Sequence, residues 1–342
     1  MSLIECVPNF SEGRDIETIL RITDAISCDS SVSILGSDVG VGANRTVITF
    51  VGSPDQVLVA AFRAIERAAN SIDMRLHHGE HQRIGATDVF PFIPLEDAAM
   101  QECILLAREV GARVGSELKI PVYLYGAAAT RKDRQKLADV RRGEYEGLAS
   151  RLLTKEGTPD FGPKLFNART GATVVGAREV LIAWNVNLDC TDAVLAERIA
   201  EELRESGGPE RDERGITVRS AIHIPGRFKK LQARGWFMPE YACAQVSFNL
   251  LDYRISGLYE VFEACRVAAA VKDVRINGSE LVGLVPLQAL LSAGTHFVRR
   301  PVGDAELVDA AIQGLGLSSV RPFDPSKQVI EYSLDSAAER RN

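Results

Sequence analysis

Apolar residues recur along this chain with two distinct periods, and the changes of period mark out its elements. From Pro54 to Ile72 they return every three to four positions, at Val57, Ala61, Ala64, Ile65 and Ala68. With proline in the first turn, that spacing predicts a long amphipathic helix. Ala98 to Leu118 carries the same period. Short apolar runs at Leu3 to Val7, Val32 to Leu35, Val47 to Val51, Ala86 to Leu95 and Pro121 to Tyr125 read instead as strands, and a helix is expected from about Asp15. Thr130 to Gly157 is charged and helical in parts. Its basic residues, Arg131, Lys132, Arg134, Lys136, Arg141 and Arg142, are interleaved with acids and predict a solvated face.

The pattern then repeats. Strand-like Ala172 to Leu188 is followed by a helical stretch from Asp192 to Glu205, strands at Gln232 to Met238 and Cys243 to Tyr253, a helix near Leu258 to Ala270, and a strand at Glu280 to Val285. That order is β-α-β-β-α-β, and the N-terminal part gives the same order with strands near Leu3, Val32, Val47 and Val89. The expected fold is therefore α/β (α+β), built as two ferredoxin-like α/β subdomains. Residues 1–170 would form the first, 171–330 the second and 331–342 a tail. Gly207 to Ile224 is expected to be an exposed excursion, and helices near Leu287 to Phe297 and Asp304 to Leu315 close the chain.

Composition narrows the function classes. A length of 342 residues suits two domains, and 46% hydrophobic with 25% charged residues is ordinary for a globular protein. No apolar run is long enough to cross a bilayer, and the N-terminus lacks the marks of a secretory leader, so a cytoplasmic protein is expected. The six cysteines are scattered without C-x-x-C pairs, which suits reduced thiols. A net charge of −6 gives no general attraction to nucleic acid or to an acidic membrane.

Three of the five histidines fall in one stretch, Ile72 to Phe92. Gly79 and Gly85 bracket a loop from which His77, His78, Glu80, His81 and Arg83 project. An imidazole, a carboxylate and a guanidinium so close together form a workable set for proton transfer beside an anionic substrate. A polar solvated loop is the simpler alternative. The H-H-x-x-H spacing is a poor metal signature, since it lacks the H-E-x-x-H order and Gly79 weakens the helix that would align the ligands. Asn9 and Ser11, in a turn after the first strand, could bind a ligand or merely satisfy that turn. Asp38, Asn44 and Arg45 sit at the junction of the next two strands, where Gly40 and Gly42 fall short of a phosphate loop.

Several stretches together resemble the glutamate formimidoyltransferase family: E-C-V-P-N-F-S-E-G at Glu5 to Gly13, N-R-T at Asn44 to Thr46, and H-H-G-E-H-Q-R-I-G-A-T-D-V-F-P-F-I-P from His77 to Pro94. The likeness continues through P-V-Y-L-Y-G at Pro121 to Gly126, D-F-G-P at Asp160 to Pro163, G-A-T-V-V-G-A-R at Gly171 to Arg178 and S-E-L-V-G-L-V-P at Ser279 to Pro286. The resemblance implies transfer of a formimidoyl group between glutamate and N5 of tetrahydrofolate, by two α/β subdomains with the folate site between them, usually as a dimer. It implies that tetrahydrofolate is a co-substrate, with no bound cofactor and no metal. The histidine of the G-E-H motif matches His81, the expected acid and base, and Asp38 would hold the imidazole or the amidinium charge. Asn9, Ser11, Asn44, Arg45, Glu80 and Arg83 would contact substrate, Arg45 and Arg83 as carboxylate clamps. Folate would lie against Gly162, Pro163, Lys164, Leu165, Phe166, Asn167, Ala168, Arg169, Thr170 and Gly171, its acidic tail toward Lys164 and Arg169. Gln82 departs from the family, which often has proline after G-E-H, and the middle of Gly162 to Gly171 differs as well. In animals the transferase is fused to a cyclodeaminase; this chain has no room for one after Pro325, so a separate downstream enzyme is expected. Alternatives of the same chemistry act on N-formylglutamate or 5-formyltetrahydrofolate, and a folate-binding protein without turnover is the non-enzymatic alternative.

Overall fold

The computed structural model describes residues 2–28, 32–79, 81–210 and 223–339. The chain divides after Glu179 into two compact units. In the first, β1 (Ser2–Cys6) and β2 (Asn9–Phe10) are one strand interrupted around Pro8, and both lie between β4 and β5. Helix α1 (Ile16–Ser27) follows, then β3 (Ser33–Gly40), β4 (Arg45–Gly52), α2 (Pro54–Ser71) and β5 (Thr87–Glu96). Asp15 caps α1 by accepting from the amides of Glu17 and Thr18, while Ser53 and Gln56 box the start of α2 behind Pro54. The strands pair in the order β3-β4-β1-β5, the ferredoxin-like arrangement expected from the sequence.

Further elements extend this unit. Helix α3 (Met100–Arg113) runs into a widened π turn, Val114–Leu118, and then come β6 (Val122–Gly126), α4 (Leu137–Val140), α5 (Glu144–Leu153) and β7 (Thr173–Ala177). Strand β7 lies parallel between β5 and β6. Successive side chains of these strands point to opposite faces, and both faces are covered. Phe90, Phe92, Val122, Leu124 and Val175 enter the main core under α2 and α3, whereas Val89, Tyr123, Tyr125 and Val174 join Leu148 and Leu152 of α5 on the other side. The division expected at Gly171 therefore moves to Glu179, because β7 completes the first sheet. Ala172 to Leu188, expected as one strand region, holds two strands of different sheets.

The second unit begins with β8 (Ile182–Leu188) and α6 (Ala193–Leu203), whose cap, Asp192, accepts from Val194 and Leu195 amides. A two-strand ribbon, β9 (Gly208–Pro209) with β10 (His223–Ile224), leads to β11 (Leu231–Met238), β12 (Cys243–Leu250), α7 (Leu258–Ala270) and β13 (Ile276–Val282). The sheet order β11-β12-β8-β13 repeats the ferredoxin-like order. Trp184, Val186, Leu188, Val246, Phe248 and Leu250 share the core with residues of α6 and α7. Residues 211–222, the body of the expected excursion, lie outside the described residues. Helices α8 (Leu287–Phe297), α9 (Asp304–Leu315), α10 (Pro325–Gln328) and α11 (Ile330–Glu339) close the unit. The expected tail is thus corrected: its first nine residues continue α11, which buries Ile330 and Ser333.

Candidate functional site

Three loops of the first unit meet where glycine alone permits the approach. A Cβ on Gly13 would lie 2.4 Å from the Gly40 carbonyl oxygen, and one on Gly79 would lie 2.3 Å from that of Ala43. Asn44, in the left-handed region at φ 47, joins all three. Its Oδ1 accepts from the Gly13 amide at 2.9 Å, its Nδ2 donates to the His78 carbonyl at 2.9 Å, and its own carbonyl lies 2.8 Å from Nε2 of His77. Ser11 is buried beside them, its hydroxyl donating to the Gly85 carbonyl at 2.8 Å.

His77 is part of the frame rather than a polar surface residue. Arg83 Nε donates to its Nδ1 at 3.2 Å, which leaves the proton on Nε2 to reach the Asn44 carbonyl. Burial, opposed by that bond to Asn44, lowers its pKa from the usual 6.5. The rest of the Arg83 guanidinium faces α5: it donates to both oxygens of Glu146, at 2.9 and 2.6 Å, and to Glu144 at 3.2 Å. The Glu146 bond, acting against burial, raises the Arg83 pKa further. Arg83 was expected as a substrate clamp; its fork is already occupied by protein carboxylates.

His81 follows two residues after Gly79, half-buried, with its Nδ1 shielded from solvent. It borders a tight void together with Ser11, Asn44, Arg45, Arg83 and Asp88. The Arg45 pKa is pushed down to about 10, first by burial and then by the neighbouring Arg141 guanidinium, against the opposing carboxylates of Asp88 and Asp38. Asp88 is almost fully buried; it accepts from the Ile84 amide at 3.1 Å and from two nitrogens of Arg141. Asp38 lies further out, opposite Val47 on β3, and acts on Arg45 through its charge. Asn9 is half-buried and donates to the Val7 carbonyl at 3.2 Å. Glu80 lies outside the described residues.

The Gly162 to Gly171 loop comes to the same place. It starts where Gly162, at φ 83, lies against α3's extension, so close that a Cβ on Gly115 would be 2.4 Å from its amide nitrogen. Pro163, Lys164 and Leu165 then run along the surface, and Phe166 packs on Tyr145 with ring centroids 5.4 Å apart. The carbonyl of Ala168 accepts from the Tyr145 hydroxyl, and the Asn167 side chain accepts from the amides of Arg169 and Thr170. Ala86 donates to the Thr170 carbonyl at 2.8 Å and Gly171 bridges to Gly85, so this loop is bonded to the exit of the histidine loop. Arg169 was expected to meet an acidic tail; its guanidinium instead donates to the Asn70 carbonyl at 2.8 Å, at the end of α2.

Beside these loops opens a cleft of about 660 Å³, bordered by Arg14, His78, Arg83, Glu144 and Glu146. The sequence singles out neither Asp88 nor Glu146, and reads Arg141 and Glu144 only as members of a charged, solvated run. The basic run expected as a solvated face is corrected here. Arg141 pairs with Asp88, and Arg134 is buried against Asp160 at 2.5 Å, while Arg131 and Arg142 stay at the surface with Asp133 and Asp139. Asp88 could have been suspected, since an aspartate inside the apolar run A-T-D-V-F-P-F needs a buried partner. Among the described residues no three His, Cys, Asp or Glu side chains group closely enough to hold a metal ion, and no helix is long and apolar enough to cross a membrane.

A histidine loop pinned by buried polar bonds beside a charged cleft, on a ferredoxin-like unit followed by a second, defines a class of α/β proteins with a preformed polar site. Residues 3–178 match the formiminotransferase domain, N-terminal subdomain, and residues 183–335 the formiminotransferase domain. The chain belongs to the formiminotransferase family. It is 42% identical to a glutamate formimidoyltransferase of Thermoplasma acidophilum, over 87% of this chain and 93% of that one. A glutamate formimidoyltransferase of Streptococcus pyogenes is 35% identical, over 97% of this chain and 98% of that one. The formimidoyltransferase-cyclodeaminase of Dictyostelium discoideum is 44% identical over 97% of this chain but only 60% of its own length. The chain thus spans about 60% of the cyclodeaminase-bearing relatives it matches.

Proposed function

We propose that this chain transfers the formimidoyl group between N-formimidoyl-L-glutamate and N5 of tetrahydrofolate. The observation that carries the reading is the placement of His81. It stands at the mouth of a loop fixed by Asn44, His77 and Arg83, against the cationic Arg45 and beside the Gly162 to Gly171 loop. The relatives named glutamate formimidoyltransferase, matched over nearly their whole length, support it.

In the reaction, N5 of tetrahydrofolate attacks the amidine carbon, and the N5–C bond forms as a tetrahedral intermediate. His81 takes the proton from N5 and delivers one to the departing glutamate nitrogen as the C–N bond breaks. Glutamate leaves with its free amine, and the formimidoyl group remains on N5. Neutral imidazole suits both proton steps, and holding the two reactants together supplies much of the acceleration. Asp38 would steady the cationic charge that develops on the imidazole or the amidine, and Arg45 would hold a substrate carboxylate. Tetrahydrofolate is a co-substrate here, lying along Gly162 to Gly171 with Lys164 available to its acidic tail. A cytoplasmic homodimer completes the reading.

Incubation with tetrahydrofolate and N-formimidoylglutamate, following glutamate release, tests it. Turnover of N-formylglutamate or 5-formyltetrahydrofolate in its place would move the assignment to those substrates. Tight folate binding without glutamate release would make the chain a folate-binding protein.

A further inference from the structure

The cleft beside the histidine loop carries a charge pattern that the mechanism above does not use. Glu146 and Arg83 neutralise one another through two parallel bonds at 2.9 and 2.6 Å. Among the described residues, two charges on the cleft are left over. Glu144 makes one contact of 3.2 Å to Arg83, and its side chain remains 33% exposed. Arg14 is exposed, held by its Nε on the Val41 carbonyl at 3.3 Å, and among the described residues no carboxylate lies within ion-pair distance of it. The described residues of the cleft thus offer one carboxylate beyond the neutral pair and one guanidinium.

Glu144 is also held in an unusual way. Its φ is 53, in the left-handed region, directly after Gly143 at φ 84 and at the first residue of α5. Side chains other than glycine, asparagine and aspartate rarely adopt that conformation, and it persists where the surroundings impose it. The consequence is positional: the turn directs this carboxylate to the cleft, alongside Arg83.

We infer that Glu144 and Arg14 determine which donor the cleft accepts, Glu144 by reading the cationic amidinium and Arg14 by pairing with a donor carboxylate. The inference rests on the proposed transferase reading and adds the basis of its donor specificity. N-formimidoylglutamate carries an amidinium and two carboxylates, so it presents both signs of charge at once. Its amidinium offers two N–H donors in a fork, which a carboxylate accepts as it accepts a guanidinium. N-formylglutamate has almost the same shape and the same carboxylates but a neutral formyl group. Glu144 therefore separates the two donors by charge, whereas Arg14 serves both alike.

The test measures kcat/KM for N-formimidoylglutamate and, in the same protein, the inhibition constant of N-formylglutamate as its competitor. Glu144→Gln should lower kcat/KM for the amidinium donor by about tenfold to a hundredfold and leave the formyl inhibition constant within about threefold. Arg14→Gln should weaken both ligands in parallel. Glu144→Gly keeps the test independent of folding, because glycine accepts the left-handed turn: its Tm should hold or rise, with the same loss of discrimination. Parallel weakening of both ligands by Glu144→Gln, an unchanged ratio with a raised KM for tetrahydrofolate, or an Arg14→Gln variant that binds both as before would each overturn the inference. A wild-type protein that turns over no N-formimidoylglutamate would instead overturn the transferase reading beneath it.

Discussion

The two units place strands in the same order, β3-β4-β1-β5 in one and β11-β12-β8-β13 in the other, yet they spend their buried polar groups differently. In the first unit buried charged side chains pair across elements: Arg83 to Glu146 at the cleft, Asp88 to Arg141, Arg134 to Asp160. In the second a row of amides with one carboxylate lies across the sheet. Gln245 donates to Asn187 at 2.7 Å and accepts from the Trp236 indole at 2.9 Å, Asn185 donates to Glu280 at 3.1 Å, and Tyr241 closes the row on Glu280. Burial, and then the Glu280 charge, push the Tyr241 pKa up to about 12, so it remains the donor of that bond. A shared frame thus carries a fixed charged site on its loops in one case and a cross-strand amide network in the other. Function follows the loops and not the frame.

The comparison breaks first at His81. His81→Ala should lower kcat by about 10²–10⁴, the usual contribution of a positioned acid and base, while thermal stability stays near wild type. Glutamate release and a melting curve measured on one preparation check both halves; near-normal kcat would remove His81 from the mechanism. Next comes the ionic wall of the same unit. Arg134→Met strands Asp160, which also accepts from the Leu124 amide at 2.9 Å, in a site where both partners are nearly dry. Breaking such a pair costs about 3–5 kcal/mol, readable as a shift in the denaturant midpoint. A loss below about 1 kcal/mol would show that Asp160 finds water instead.

The sequence makes the doubled β-α-β-β-α-β frame legible because its helices keep a 3.6-residue period and its strands are bounded by turns. What it hides is non-local. Strand β7 pairs in parallel with β5 and β6, segments far away in the chain, and its run joins that of β8 with only Arg178 and Glu179 as a polar break. Parallel strands buried on both faces show no alternation that would betray the join. In the site, His81 and its glycines were visible because histidine is rare here and clustered. Arg141 was not, since acids two and three residues away, Asp139 and Glu144, make a buried arginine look like part of a solvated face. His77 and His81 have the same side chain, and only the geometry of Asn44 and Arg83 tells the frame from the candidate catalyst.

A smaller effect is expected in the second unit. Gln245→Ala removes the shared partner of Asn187 and Trp236 and leaves neutral polar groups unmet, at a cost of about 1–3 kcal/mol. Glutamate release under saturating substrates should change far less than stability does. If kcat fell as steeply as in His81→Ala, the contrast between a charged site and a structural network would fail, and the amide row would belong to the chemistry.

The smallest effect is the pH dependence set by His77. Its folded-state pKa lies below the usual 6.5, through burial, while in the unfolded chain it returns to about 6.5. Between those two values the unfolded state binds a proton that the folded state does not, so stability rises with pH through this window. The contribution is complete above about 6.5 and is lost as pH falls through the lowered folded value, where the imidazolium must form against Arg83 Nε, a donor 3.2 Å from its Nδ1. Denaturant midpoints taken at pH 7.5, 6.5 and 5.5 should therefore fall on acidification, and more steeply in wild type than in His77→Gln. That variant keeps a side chain able to donate to the Asn44 carbonyl but has nothing to protonate. Parallel curves for the two proteins would mean that His77 titrates alike in both states, and the Arg83 to His77 bond would then no longer account for the fixed loop.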